Sequence, residues 1–226
     1  MSQAVSRTEA LEQALAYRFA TPALLRQALT HRSYAADHNE RLEFLGDSLL
    51  NMVIAMALFE RFPQAREGEL SRLRARLVCQ DSLHGVALEL SLGEYLLLGE
   101  GEVRNGGQQR PSMLADAVEA IFGAIYRDGG FEPARRTIER LLATALAAAS
   151  LDSLKDPKTA LQEELQGRRL PLPRYELCAT HGAAHAQEFE VACVVEALSL
   201  RSTGRGSSRR IAEQQAAAAV LAEIKA

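Results

Sequence analysis

Three cysteines in 226 residues, Cys79, Cys178 and Cys193, are too few for a disulfide framework, and their spacing fits no zinc template. They read as buried or inert thiols of a protein kept in a reducing compartment. Long apolar runs are also missing. No stretch of ~18 consecutive apolar residues occurs, so no membrane partner is expected. The first residues, MSQAVSRTEALEQALAYRF, carry acids and lack the apolar core of a signal peptide; a cytoplasmic location is expected. An excess of either charge is absent too. The net charge is −3, with sixteen Lys+Arg against nineteen Asp+Glu in residues 1–150 and ten against ten in 151–226. A nucleic-acid partner must therefore be held by local clusters and not by a global field. The Gly-rich stretch Gly99 to Ser112 is not followed by Gly-Lys-Ser/Thr, which excludes a Walker phosphate loop. It reads as a plain loop.

What is present begins with NERLEFLGDS, Asn39 to Ser48. Glu40, Glu43 and Asp47 are spaced i+3 and i+4, which stacks them on one side of a helix. With Glu40 at zero, Glu43 falls near ~300° and Asp47 near ~340°. Leu42, Leu45, Leu49, Met52, Val53 and Met56 fall between roughly 120° and 220° and predict a core stripe on the opposite side. Acids on a polar helix face are usually solvated surface. Two residues speak against that here. Phe44 lies beside the acids at ~40°, suggesting a partner surface, and Gly46 accepts a helix cost of ~1 kcal/mol, suggesting close approach by another backbone.

A second pair, Asp116 and Glu119, lies in SMLADAVEAIFGAIY, again i, i+3, with Leu114, Val118, Ile121 and Ile125 on the opposite face. Two such helices packed side by side could bring four carboxylates together. Hard oxygen donors favour Mg²⁺, with Mn²⁺ able to substitute. A di-iron bundle would want Glu-x-x-His on its helices, and neither pair includes a histidine.

Residues 1–150 read as nearly all helix. Glu9 to Tyr17 is a first amphipathic segment, and Thr21 with Pro22 reads as an N-cap and first turn. His31 follows that helix and reads as a structural hydrogen-bond partner. EGELSRLRARLV begins with acids in its first turn, favourable for the dipole, and places Arg72 and Arg76 on one face. Gly129-Gly130 ends the second acidic helix, and EPARRTIERLLATALAAA reads as one last helix. Residues 151–156 read as a linker. From Pro157 the pattern becomes helix, three strands, helix: PKTALQEELQG, RYELCATH, EFEVACVVEA with alternating Phe189, Val191, Cys193 and Val195, LSLRSTG, and a final helix capped by Ser207 or Ser208.

ERLEFLGDS, Glu40 to Ser48, resembles the signature of the ribonuclease III family, and LADAVEAIFGAIY resembles that family's second metal-binding helix. His31-Arg32-Ser33 matches a short motif of the same family. Residues 157–226 resemble a double-stranded-RNA-binding domain. There Thr159, Gln162, Glu163 and Gln166 match the helix that lies in a minor groove. His181 to His185 matches the loop entering the next minor groove. Gly206, Ser207, Arg209, Arg210 and Ala212 match the basic helix start over the intervening phosphates. The chain departs from the pattern in having Ala183 or Ala184 for the loop proline and arginines for the usual lysines.

The resemblance implies an all-α endonuclease domain, 1–150, then a small α+β (α-β-β-β-α) domain, 157–226. It implies Mg²⁺-dependent cleavage of double-stranded RNA to 5′-phosphate and 3′-hydroxyl ends with a staggered cut, in processing ribosomal RNA precursors, messenger, transfer and other structured transcripts. Glu43, Asp47, Asp116 and Glu119 are implied metal ligands, Asp47 and Glu119 being catalytic. Glu40, Glu67 and Arg110 are implied on the substrate side, with Thr159, Gln162, Glu163, Gln166, His185, Ser207, Arg209 and Arg210 as RNA contacts. Phe44 is implied in a homodimer interface. Two rival readings stand beside it: a catalytically silent RNA-binding relative, against which the four intact carboxylates argue, and a di-metal hydrolase of small molecules, against which the appended module argues.

Overall fold

The computed structural model describes the backbone of residues 2–151, 156–182 and 187–225. The chain divides into two compact units, 1–151 and 152–226, each taken by itself below. The first is helical among its described residues: α1 Ser2–Leu15, α2 Pro22–Ala28, α3 Glu40–Arg61, α4 Glu67–Leu77, α5 Gln80–Glu89, α6 Glu100–Arg104, α7 Pro111–Gly129, α8 Phe131–Leu141 and α9 Ala143–Ala148.

Helix α7 is the axis of this unit. Every residue from Met113 to Ile125 is buried except Asp116 and Glu119. Helices α2, α3, α5 and α8 pack around it. The tightest crossing is with α3, and two glycines make it. A Cβ on Gly46 would overlap the Glu119 carbonyl oxygen, and one on Gly123 would overlap the Leu42 carbonyl oxygen. The two backbones touch, as the glycine in the acidic motif predicted.

That crossing turns α3 away from the orientation expected of it. Its buried residues are Leu42, Gly46, Leu49, Leu50, Val53, Ile54 and Leu58, centred near ~240° on the same wheel. Met52 is 53% exposed and Met56 39% exposed, so neither belongs to the core. Leu45 is only half-buried. The acids are therefore not opposite the buried stripe. They lie along its edge, at the seam with α7. By length and composition α3 would also qualify as a membrane span, so the lack of an unbroken apolar run was a weak test.

Two further expectations are corrected. Gly99 to Ser112 is not a plain loop: it holds α6 and a 3₁₀ turn, Gly107–Gln109. Acids in the first turn of α6 and Arg104 in its last suit the helix dipole. The last helix is broken at Leu142 into α8 and α9, and Arg61 from the end of α3 donates to the carbonyls of Leu146 and Ala147. Thr21 stands at the N-cap of α2 without a side-chain capping bond. Asp128 near the end of α7 instead accepts from the amides of Ala20 (2.8 Å) and Thr21 (2.9 Å) and the Tyr17 hydroxyl (2.8 Å). Cys79 and Cys178 are exposed; Cys193 alone is buried.

The second unit has α10 Pro157–Gly167, strands β1 Arg174–His181, β2 Glu188–Val195 and β3 Leu200–Gly206, and α11 Arg209–Lys225. The strands form one antiparallel sheet in the order β1-β2-β3. Leu161 and Leu165 of α10, Cys193 and Val195 of β2, and Ala216, Ala217 and Val220 of α11 form its core. Strand β3 starts at Leu200 and not Leu198, because Glu196–Leu198 makes a 3₁₀ turn closed by Ser199 at φ 53°. Two polar groups start the helices: Asp156 accepts from the Lys158 amide (2.9 Å), and the Ser208 hydroxyl from the Ile211 amide (3.3 Å). A Cβ at Gly204 would overlap backbone atoms of α11, so β3 lies directly against that helix. His185, Ala183, Ala184 and most of the expected linker (152–155) lie outside the described residues.

Candidate active site and RNA interface

Because α3 and α7 touch at Gly46 and Gly123, the acids one turn either side of the contact are brought together. Carboxylate oxygens of Glu43, Asp116 and Glu119 lie within 4.8 Å of one another. Burial, followed by the charges of Asp47, Glu43 and Asp116, pushes the Glu119 carboxyl up to about 8. Burial, then the charges of Asp116, Glu40 and Asp47, raises Glu43 as well. Asp116 is also raised by burial, with His31 acting against the shift. Repulsion of this kind is what a bound divalent cation removes, and an all-carboxylate donor set suits a hard ion.

Asp47 is not within this trio. It is exposed, and its Oδ1 accepts from Asn51 Nδ2 at 2.8 Å one turn along α3. Its charge nevertheless reaches both Glu43 and Glu119. Glu40 is exposed and pairs with Arg32 (3.1 Å) and His38 (3.8 Å). Beside the trio opens a pocket of about 340 Å³ whose polar lining includes His31, Asn39, Glu40, Glu43 and Asp116. Leu96, Leu98 and Met113 supply its apolar wall.

The His31-Arg32-Ser33 stretch holds that wall in place. His31 N donates to the Leu97 carbonyl (3.0 Å) and Gly99 N to Ser33 Oγ (2.9 Å). Ser33 N lies 3.2 Å and Ser33 Oγ 2.8 Å from His31 Nδ1. His31 is thus a structural partner, as expected, and a pocket residue as well.

Glu67 is not brought to the pocket. It opens α4, exposed, and accepts from the Ser71 hydroxyl at 2.7 Å. Arg110 precedes the first turn of α7, 3.1 Å from Glu102. Phe44 is 76% exposed and continues along α3 into Met52, Met56 and Phe59, the last 72% exposed. This apolar strip is wider than the lone aromatic read from the sequence.

In the second unit Thr159, Gln162, Glu163 and Gln166 share the exposed face of α10, opposite Leu161 and Leu165. Ser207, Arg209 and Arg210 are exposed at the start of α11. Arg209 Nε lies 3.0 Å from Glu213, which also holds Lys158 of α10 at 2.6 Å. Arg210 lies 3.9 Å from Asp156. Guanidiniums at a helix N-terminus have the charge and donor geometry that suit phosphate groups. The sequence reading missed Glu213, whose i+4 spacing from Arg209 was the available signal, and Asn39, which had none beyond its place at a helix start.

A ribonuclease-III-like family model matches residues 21–146, and a double-stranded RNA binding motif matches residues 157–224. A protein named Ribonuclease 3 from Aromatoleum aromaticum is 62% identical over 97% of this chain and 98% of its own length. The chain belongs to the ribonuclease III family. A second Ribonuclease 3, from Dechloromonas aromatica, is 56% identical over 97% of this chain and 99% of its own length. Among solved structures, the nuclease domain of ribonuclease III from Campylobacter jejuni superposes with a TM-score of 0.60 at 45% identity, covering 63% of this chain and 97% of that one. A second structure of that domain, titled for flexibility in a region involved in dimer formation, gives 0.59 at 47% identity, covering 60% and 96%. As a member of that family the protein is a double-strand-specific endoribonuclease. Enzymes of this family are metal-dependent nucleases, and the carboxylate cluster accords with that.

Proposed function

We propose that this protein cleaves double-stranded RNA with Mg²⁺ at Glu43, Asp47, Asp116 and Glu119, leaving 5′-phosphate and 3′-hydroxyl ends. The supporting observation is the carboxylate trio at the α3–α7 crossing, with Asp47 one turn away. A bound divalent cation would supply Lewis-acid stabilisation of phosphoryl charge and a lowered pKa for attacking water. The residues' part is positional. The trio gathers oxygen donors from two packed helices, and Asp47 would complete the set if it left Asn51. Glu119 would hold a cation as the ionised carboxylate. Glu40 stands on the pocket rim beside Arg32, on the substrate side. Glu67 and Arg110 are proposed to meet RNA only in the assembled complex.

The face of α10, with Thr159, Gln162, Glu163 and Gln166, is assigned to a minor groove, together with His185 of the loop. Ser207, Arg209 and Arg210 are assigned to the phosphates between grooves. Such a surface reads A-form shape and 2′-hydroxyls over ~16 bp.

The Phe44 strip supports a homodimer through the nuclease unit, in which two sites cut the two strands with a stagger. Burying one Phe44 ring is worth ~1.5–3 kcal/mol, and a two-fold interface gains it twice. Cytoplasmic processing of ribosomal RNA precursors and other structured transcripts follows from this reading. The test is incubation with a long RNA duplex, with and without Mg²⁺, resolved on a sizing gel with end-group mapping. Short duplexes with 5′-phosphates are expected only with Mg²⁺. Cleavage that persists in chelator, or 5′-hydroxyl ends, would overturn the proposal.

A further inference from the structure

Asn39 is a polar residue that the carboxylate chemistry leaves unused. It is only 5% exposed, yet it lines the pocket beside Glu43 and Asp116. Its side-chain amide is not among the fully enclosed unpartnered polar atoms, so it keeps an opening to the pocket. An asparagine at a helix N-cap normally accepts from the amides of the first turn. Here the backbone is already helical, at φ −82° and ψ −18°, and the side chain makes no capping bond. The backbone groups of Asn39 are spent: its N–H donates to the Thr30 carbonyl (2.9 Å), and its carbonyl accepts from Leu42 (2.8 Å) and Glu43 (2.9 Å). The side-chain amide has no protein partner among the described residues, and it faces the pocket.

The chemistry of an amide narrows what could fill that place. Its oxygen accepts and its nitrogen donates. A cation would use the oxygen alone. A phosphate oxygen would use the nitrogen alone. A hydroxyl uses both, and in RNA the hydroxyl beside each phosphate is the ribose 2′-OH, the group that distinguishes RNA from DNA. Leu96, Leu98 and Met113 offer the wall against which a sugar ring can lie. We propose that Asn39 binds the 2′-hydroxyl of a ribose flanking the scissile phosphate, so that this pocket is where the enzyme tells ribose from deoxyribose. The proposal rests on the assignment of Glu43 and Asp116 to the cleavage site.

The experiment uses the full chain with Mg²⁺ and a hairpin RNA whose cut position has been mapped. Single 2′-deoxy substitutions are placed at each of the two riboses flanking the cut, and single-turnover rates are measured. For the wild type, one substitution should slow cleavage about tenfold, the scale of one lost hydrogen bond. In Asn39→Ala the all-ribose hairpin should be slowed by a similar factor, and the same deoxy substitution should then change the rate less than about twofold. The ratio of ribose to deoxyribose rates is internal to each variant, so a general loss of activity does not mimic the result. If Asn39→Ala loses helix by circular dichroism, Asn39→Leu, which is close in size but can neither donate nor accept, takes its place with the same expectation. A variant that keeps the wild-type ratio at both riboses, or a wild type indifferent to both, overturns the inference while leaving the cleavage assignment standing. A wild type that does not cut the all-ribose hairpin overturns both.

Discussion

Replacing Gly46 with alanine tests whether backbone contact between α3 and α7 is what assembles the site. The added methyl would overlap the carbonyl oxygen of Glu119 and lie 3.1 Å from the Gly123 amide nitrogen. Both neighbours are backbone, so no side chain can swing aside. Reaching ordinary van der Waals separation requires the helices to part by about 1–2 Å. Overpacking of this kind costs ~1–3 kcal/mol, against which alanine's better helix propensity returns at most ~1 kcal/mol. Net destabilisation of about 1–2 kcal/mol follows. The larger effect is on catalysis. The same movement carries Glu43 and Asp47 away from Asp116 and Glu119, and ~1 Å of misplacement costs on the order of 10²-fold in rate. Gly85→Ala in α5 is the control, because a Cβ there meets nothing within 4 Å. It should be neutral or up to ~1 kcal/mol more stable, with full activity. Urea unfolding followed by circular dichroism, beside single-turnover cleavage of duplex RNA, reads both quantities. If the Gly46 and Gly85 variants match in stability and rate, the close crossing is not what builds the site.

Four further outcomes follow from the same structure. With the Glu119 carboxyl pushed up to about 8, it is mostly protonated at pH 7 and mostly ionised at pH 9, so Mg²⁺ binding should release more protons at pH 7 than at pH 9; calorimetry in two buffers of different ionisation enthalpy measures this, and Glu119→Gln should reduce the release at pH 7. In the cation-free protein the native carboxyl binds its proton more tightly than the unfolded one, so this group's contribution is intact below ~4.5 and is lost as pH rises through about 8; melting scans should show Glu119→Gln flattening that fall. Phe44→Asp should give helical monomers that cleave poorly, read by light scattering and a cleavage assay at matched micromolar concentration, whereas an unchanged mass would place the interface elsewhere. Replacing Arg209 and Arg210 with alanine should weaken binding to all duplexes alike and reduce the salt slope by roughly one unit per lost phosphate contact, and an unchanged slope would move the phosphate surface elsewhere.

The acids themselves were legible because their i+3 and i+4 spacing survives whichever way the helix is turned. Gly46 was legible because a glycine inside a helix needs a reason. The orientation of α3 was not. Apolar residues surround much of it, so Leu42, Leu49 and Val53 on one side and Met52, Met56 and Phe59 on another satisfy the same 3.6-residue period. Only the fit to α7 decides between them. Helix α6 escaped notice because five residues between glycines carry too little pattern. Asp128 bonds to groups more than a hundred positions earlier, a distance at which no local signal exists. Asn39 was hidden by its own plausibility, since an asparagine before a helix already has an ordinary explanation.

The central claim is that the α3–α7 carboxylates perform the cleavage and not the binding. Glu119→Ala, assayed for duplex RNA binding by gel shift and for cleavage with Mg²⁺ on the same substrate, tests it most directly. The expected result is binding within about twofold of wild type and cleavage reduced by at least ~10²-fold, the scale on which removing one catalytic electrostatic group acts. Near-normal turnover at saturating Mg²⁺ would contradict it.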